Sequence, residues 1–169
     1  MINPTLQGAL NRQINMELAA AYVYLGMSTY FEKENLSGFG NWCMVQYQEE
    51  QQHAMRLLNY LQDRDGTVEL AAIEAPKVDY ASPLEVFQAA LIQEQDNTRS
   101  INELYEQASS LNDHATISHL QWFLDEQVEE EKTVSEIVSL VERAANDVSA
   151  LLYLNDKLGA RSASSAPDE

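Results

Sequence analysis

Residues 43–60 read CMVQYQEEQQHAMRLLNY. Stepped at i+3/i+4, the stretch gives Cys43, Gln46, Glu50, His53, Leu57 and Tyr60 on one side of a helix. That side is apolar at its ends and polar in the middle, and Glu50-x-x-His53 puts a carboxylate and an imidazole on one face. Three other stretches repeat the pattern. One reads Leu6, Leu10, Ile14, Glu17, Ala21, Tyr24, Ser28, Phe31. Another reads Leu84, Phe87, Leu91, Glu94, Thr98, Ile101, Tyr105, Ala108. The last reads Ile117, Leu120, Phe123 or Leu124, Gln127, Glu130, Val134, Ile137, Val141. Each seam breaks at a similar depth, at Glu17, Glu50, His53, Glu94, Gln127 and Glu130. One carboxylate in a bundle core is costly, and several at one level repel each other unless cations sit among them. Carboxylates with one imidazole suit hard or borderline cations such as iron or manganese. Taken singly, each of these residues also fits a structural role, and Glu49, Glu126, Glu129, Glu130 and Glu131 fit a solvated acidic face.

Helix punctuation supplies the frame. Asn3-Pro4 starts a helix that runs to about Lys33. Asn35–Gly40 is a break, with Ser37 expected as N-cap of a second helix from about Phe39 to Arg64. Asp65-Gly66 stops it. Ser82-Pro83-Leu84-Glu85 is a capping box that opens a third helix ending near Ser110. Asn112-Asp113 turns into a fourth, from about Ala115 to Arg143, and Asn146-Asp147 caps a short fifth that ends at Gly159. Residues 67–81, with Pro76, read as a connection. A helix of ~27 residues is ~40 Å long, and about 15 extended residues span that distance. The expected fold is therefore all-α: an up-down-down-up four-helix bundle with one long crossover between helices 2 and 3. Residues 1–158 form the domain and 159–169 (GARSASSAPDE) a flexible tail.

Twenty-seven acidic residues against ten basic ones leave the 169-residue chain at −17. That charge excludes nucleic acid and anionic membrane surfaces as partners. A single cysteine, Cys43, excludes an intrachain disulfide and a thiolate zinc site. No signal peptide or membrane-length apolar run is present, so a cytoplasmic setting is expected.

Asn15-Met16-Glu17-Leu18, Tyr24, Glu49-Glu50-Gln51-Gln52-His53, Leu91–Glu94 with Asn97-Thr98, and Leu120–Glu131 (LQWFLDEQVEEE) together resemble the non-haem ferritins of bacterial type, over about Leu6–Lys157. The resemblance implies a ferritin-like bundle with a short fifth C-terminal helix and a homo-oligomeric, 24-subunit hollow shell. It also implies an iron store and a di-iron ferroxidase centre in each subunit that oxidises Fe(II) with O₂ or H₂O₂. Carried over, it gives one iron to Glu17, Glu50 and His53 and a second to Glu50, Glu94 and Glu130, with Glu50 bridging and Gln127 beside them. A third iron position matches Glu49, Glu126, Glu129 and Glu130. Tyr24 matches a tyrosine beside the centre, as electron donor or hydrogen-bond partner; Trp122 is a second candidate donor or a packing residue.

Relatives within the superfamily fit less well. A second E-x-x-H, as in bacterioferritins and ribonucleotide reductases, is missing, because the fourth helix reads Gln127-Val128-Glu129-Glu130. Bacterioferritins bind haem through a methionine where this chain has Gln51, so no haem is expected. One cysteine cannot build a rubrerythrin iron domain, and miniferritins lack the fifth helix. The acidic positions that line the three-fold channels of animal ferritins match Ile117 and Leu120 here. Asp113, His114 and His119 are expected at the surface nearby. Other readings are a shell subunit without a working centre, or a peroxide-consuming detoxifier using the same irons.

Overall fold

The computed structural model describes residues 2–162 and consists of five helices: α1 (Pro4–Lys33), α2 (Ser37–Asp63), α3 (Pro83–Ser110), α4 (His114–Ala144) and α5 (Val148–Gly159). No strand occurs among the described residues.

The caps follow the expected chemistry at four of the five starts. Asn3 accepts from the Thr5 N–H at 2.9 Å, and Ser82 from the Glu85 N–H at 3.2 Å. Asp113 accepts from the Thr116 N–H at 3.0 Å, and Asp147 from those of Ser149 and Ala150. Glu85 completes its box one residue early, accepting from the Ala81 N–H at 2.5 Å instead of that of Ser82. Ser37 is not an N-cap. The cap position is Leu36, and the Ser37 hydroxyl donates to Glu32 Oε2 at 3.0 Å.

The reason lies in how α1 ends. Asn35 adopts a left-handed φ of 57°, its N–H bonds Glu32 O, and the Leu36 N–H bonds Phe31 O at 2.9 Å. This 6→1, 5→2 pair closes the helix and spends Leu36 as the pivot into α2. The same closure recurs at Asp65 (φ 55°) and Asn112 (φ 53°), with Gly66→Leu61 and Asp113→Ala108 as the 6→1 bonds. Asn and Asp tolerate this backbone region better than other residues with a Cβ.

α1 packs on α2 and α3 on α4, and residues 66–81 cross between the pairs as an extended strap along α1. Its path is pinned from one end of α1 to the other. The Thr67 N–H donates to Gln7, and Asn11 Nδ2 donates to Thr67 O while its Oδ1 accepts from the Glu69 N–H. Asn15 does the same for Glu69 O and the Ala71 N–H. Further on, Pro76 and Lys77 lie where a Cβ on Gly26 would be, and Lys33 pairs with Asp79 at 3.1 Å. From Gln7 to Lys33 the helix rises about 39 Å, and the twelve steps from Thr67 to Asp79 reach about 40 Å fully extended. The strap is thus drawn nearly taut, which fixes the crossover topology.

The core is two apolar clusters. One holds Tyr24, Phe31, Phe39, Trp42 and Phe87 and is closed by Leu154 of α5. The other holds Leu6, Leu10, Ile14, Leu57, Leu61, Ile101, Leu120 and Phe123. Between them lies the polar level. Leu120 has no exposed surface, so it fills the core of its own subunit and cannot line a channel between subunits. Tyr30 is also buried, against Phe31 and Tyr80. Asp113 is held by Arg64 at 2.8 Å, and that guanidinium keeps its carboxyl at about 2. His119 is half-buried and stacked on Tyr60 with ring centroids 4.0 Å apart; burial lowers it to about 4. Neither is the free surface residue expected.

Candidate metal centre

Glu17, Glu50, His53, Glu94, Gln127 and Glu130 all lie buried at one level of the bundle, as the four broken seams require. Glu17, Glu50 and His53 offer one ligand atom each, all within 4.8 Å of one another. Glu50 has no exposed surface, and neither of its oxygens nor His53 Nδ1 has a hydrogen-bond partner. His53 Nδ1 lies 3.4 Å from Glu50 Oε2. Glu50 also faces Glu17 carboxylate to carboxylate, where a bond needs a proton between them. Burial raises Glu50 well above the usual carboxylate range, and Glu94 and Glu17 raise it further. An acceptor-only group buried without a donor is expensive. A cation at this point supplies what Glu50 and His53 lack, so the donor set fits a hard metal ion.

The surrounding acids are held by neutral donors. Glu17 accepts from Gln13 Nε2 at 2.8 Å and Asn97 Nδ2 at 3.0 Å. Glu94 accepts from the Tyr24 hydroxyl, and Gln127 donates to the Glu94 carbonyl at 3.3 Å. Glu130 accepts from Gln46 Nε2 at 2.9 Å. Burial pushes Glu94 up to about 8, with Glu130 adding to the shift, and pushes Glu130 up to about 7, with Glu49 adding. Tyr24 is buried among these acids, so its phenol rises well above its ordinary value and stays protonated. Trp122 meets the His53 ring edge-on at 5.3 Å and carries Arg56 on its face at 4.3 Å.

The outer acids are arranged differently. Glu49 is 8% exposed and pairs with Arg161 at 2.7 Å. Glu126 is half-buried and Glu129 exposed. Burial raises Glu126; His53 and Arg161 oppose the rise, while Glu129 and Glu49 add to it. Glu49 and Glu129 are therefore near enough to act on Glu126 electrostatically, and Glu49 and Glu126 also act on Glu130.

Residues 7–144 match the family model of the ferritin-like domain. A bacterial non-heme ferritin of Staphylococcus aureus (strain USA300) is 43% identical over 161 residues, covering 95% of this chain and 97% of the relative. Its counterpart in Staphylococcus epidermidis is 41% identical over 162 residues, covering 96% and 98%. The chain belongs to the ferritin family. Among solved structures, the open-pore ferritin of the archaeon Archaeoglobus fulgidus superposes with a TM-score of 0.94 at 42% identity, covering 96% of this chain and all of that one. A humanized archaeal ferritin gives 0.96 at 40%, covering 98% and 100%. As a ferritin, the chain is a subunit of an iron-storage protein that assembles into a shell.

Reading the seams found the acids of this ferritin but not all that holds them. Gln13, one turn before Glu17, carried a usable i,i+4 signal. Asn97 lies one residue from the seam position assigned to Thr98. Arg161 had no signal, because it follows the last helix in a run of small and polar residues. At the start of the segment expected as a tail, Gly159 ends α5, and Asn41 Nδ2 donates to Gly159 O at 3.1 Å and Arg161 O at 3.0 Å. The rest of that tail, 163–169, lies outside the described residues.

Proposed function

We propose that this ferritin oxidises Fe(II) at a paired site inside the subunit and passes the ferric product to a mineral store in a 24-subunit cytoplasmic shell. The observation that carries the reading is Glu50: fully buried, with both oxygens free of donors, grouped with Glu17 and His53, and raised further by the nearby charges of Glu94, Glu17 and Glu130. That setting supports Glu50 as the carboxylate shared by two cations. Glu17 and His53 complete one position, and Glu94 and Glu130 the second. Glu49, Glu126 and Glu129 join Glu130 at the third.

The reaction takes one electron from each of two Fe(II). O₂ with two protons gives H₂O₂ and two Fe(III); H₂O₂ with two protons gives two waters and two Fe(III). Side-chain carboxylates favour the higher charge of the ferric product, so the site drives oxidation electrostatically. The residues around the acids orient them. Gln13 and Asn97 fix Glu17, Gln46 fixes Glu130, and Tyr24 turns Glu94 through its hydroxyl. Gln127 already spans Glu94 O, Thr98 Oγ1 at 3.2 Å and Asn97, which suits a positioning role more than a ligand. Binding cations to groups raised to about 7 and 8 also expels their protons.

The test is anaerobic loading with Fe(II), then oxygen, on wild type and Glu50→Ala. Fast oxidation of two irons per subunit is expected in the first and its loss in the second, with assembly unchanged. Equal rates exclude the assigned centre. A shell subunit that only lines a mineral would have lost several of these ligands, and all are present. Comparing O₂ with H₂O₂ as oxidant at equal iron separates storage from peroxide removal.

A further inference from the structure

The acids taken above as a third cation position already face a cation of the chain's own. Arg161, two residues beyond α5, turns back under α2. Its Nη2 donates to Glu49 Oε2 at 2.7 Å, its Nη1 to Gln46 Oε1, and the guanidinium lies over the Trp42 ring at 5.4 Å. Gln46 passes the contact on, because its amide oxygen is turned to Arg161 and its Nε2 therefore faces Glu130. One guanidinium so engages Glu49 directly and Glu130 through Gln46. It also acts electrostatically on Glu126.

The placement is built into the fold. Asn41 holds the carbonyls of Gly159 and Arg161, the Arg161 N–H returns to Leu158 O at 3.2 Å, and Asn155 Oδ1 accepts from the Phe39 N–H at 3.0 Å. α5 sits so close on α2 that a Cβ on Gly159 would come within 2.7 Å of Gly38 Cα. Docking α5 thus delivers a positive charge to the acids beside the iron pair.

We propose that Arg161 is a displaceable internal counter-ion, a positioning residue that occupies the third cation site until a metal ion expels it. The inference rests on the proposed function, since it takes Glu49, Glu126, Glu129 and Glu130 as a cation site next to the pair. A metal ion arriving there must break the charge-assisted bond to Glu49 and free Gln46 to turn. Arg161 thereby weakens the third position relative to the first two and sets the order of filling. It also links occupancy of that position to the docking of the α5 end.

The experiment titrates the intact, metal-free assembly by calorimetry with Zn(II), which is redox-silent, and anaerobically with Fe(II). Arg161→Gln is expected to leave the first two cations per subunit unchanged and to tighten the third by about ten- to a hundredfold, the worth of one or two charge-assisted hydrogen bonds. Arg161→Lys keeps the charge but cannot hold Glu49 and Gln46 together, and falls between. Asn41→Ala, which keeps the Arg161 side chain but cuts the bonds that hold its turn, loosens the guanidinium and tightens the third cation in the same direction. In wild type, filling the third site speeds hydrogen exchange at the amides of residues 157–161. Equal or weaker third-cation binding in Arg161→Gln, or no third cation in either protein with the first two bound, overturns the inference and leaves the pair standing. Failure of even the first two cations to bind overturns the proposed function, and this inference with it.

Discussion

Glu50 has no donor and no solvent, so in the metal-free protein it is held protonated or remains a source of strain. Replacing it with glutamine supplies a donor toward Glu17 and removes a like charge. Glu50→Gln should therefore raise the melting temperature of the metal-free protein at pH 8, by an amount equivalent to about 1–3 kcal/mol, while weakening binding of the cation pair at least about tenfold. Calorimetry of the metal-free and Zn(II)-loaded forms checks both. Glu94 at about 8 and Glu130 at about 7 set the pH dependence. Both lie above their unfolded values, so the folded metal-free protein binds more protons than the unfolded chain. Their contribution is fully present below about pH 4.5 and is lost as pH rises to about 8, so these groups make metal-free melting temperatures fall across that window. Loading with Zn(II) removes the protons and should flatten or reverse the slope. At this scale the sequence revealed the buried seam acids Glu17, Glu50, Glu94 and Glu130, because a carboxylate on an apolar seam is visible without coordinates; buried Glu49, off the seam, came only with the resemblance. The neutral donors were less legible: Gln13 had only its i,i+4 spacing from Glu17, Asn97 stood one residue off the seam, and no periodicity marks Arg161.

The strap of residues 66–81 behaves as an element although it has no regular structure. Asn11 and Asn15 each give one N–H to it and take one from it, a side-chain version of a strand ladder one helical turn apart. Asn15→Ala removes two of those bonds from a partly exposed site. It is expected to lower local stability by about 1–2 kcal/mol, seen as roughly tenfold faster exchange at the amides of residues 67–71, with Fe(II) oxidation unchanged. Gly38→Ala tests the other attachment, since its Cβ would fall 1.9 Å from Asn155 O, where backbone cannot yield. It should undock α5 and, with it, Arg161. The crossover itself was legible from length alone, because a connection of that size without turn signals has to cover the bundle. What pinned it was not, because asparagines mid-helix carry no sign of their partners. The Ser37 cap failed for a related reason: the closure at Asn35 places Leu36 at the pivot, and serine one residue later is already inside the helix.

A charge of −17 per chain becomes several hundred elementary charges in a ferritin shell of 24, most of it screened beyond about 8–10 Å at physiological salt. The buried acids proposed to hold the cation pair lie inside the bundle and are shielded from bulk ions, whereas the surface acids act on Fe(II) only while it approaches. These two populations should respond to salt differently. Raising ionic strength from about 20 mM to 500 mM collapses the attractive field around the shell but leaves the geometry of Glu17, Glu50, His53, Glu94 and Glu130 intact. The initial rate of Fe(II) oxidation at low iron should then fall by about three- to tenfold, through the apparent KM. The rate at saturating iron should change by less than about twofold, because it is set at the buried centre. Stopped-flow oxidation across that salt range, with a non-coordinating anion, separates the two. A fall in the saturating rate at constant KM would show that surface charge has no part in delivering iron, and that salt acts on the centre itself.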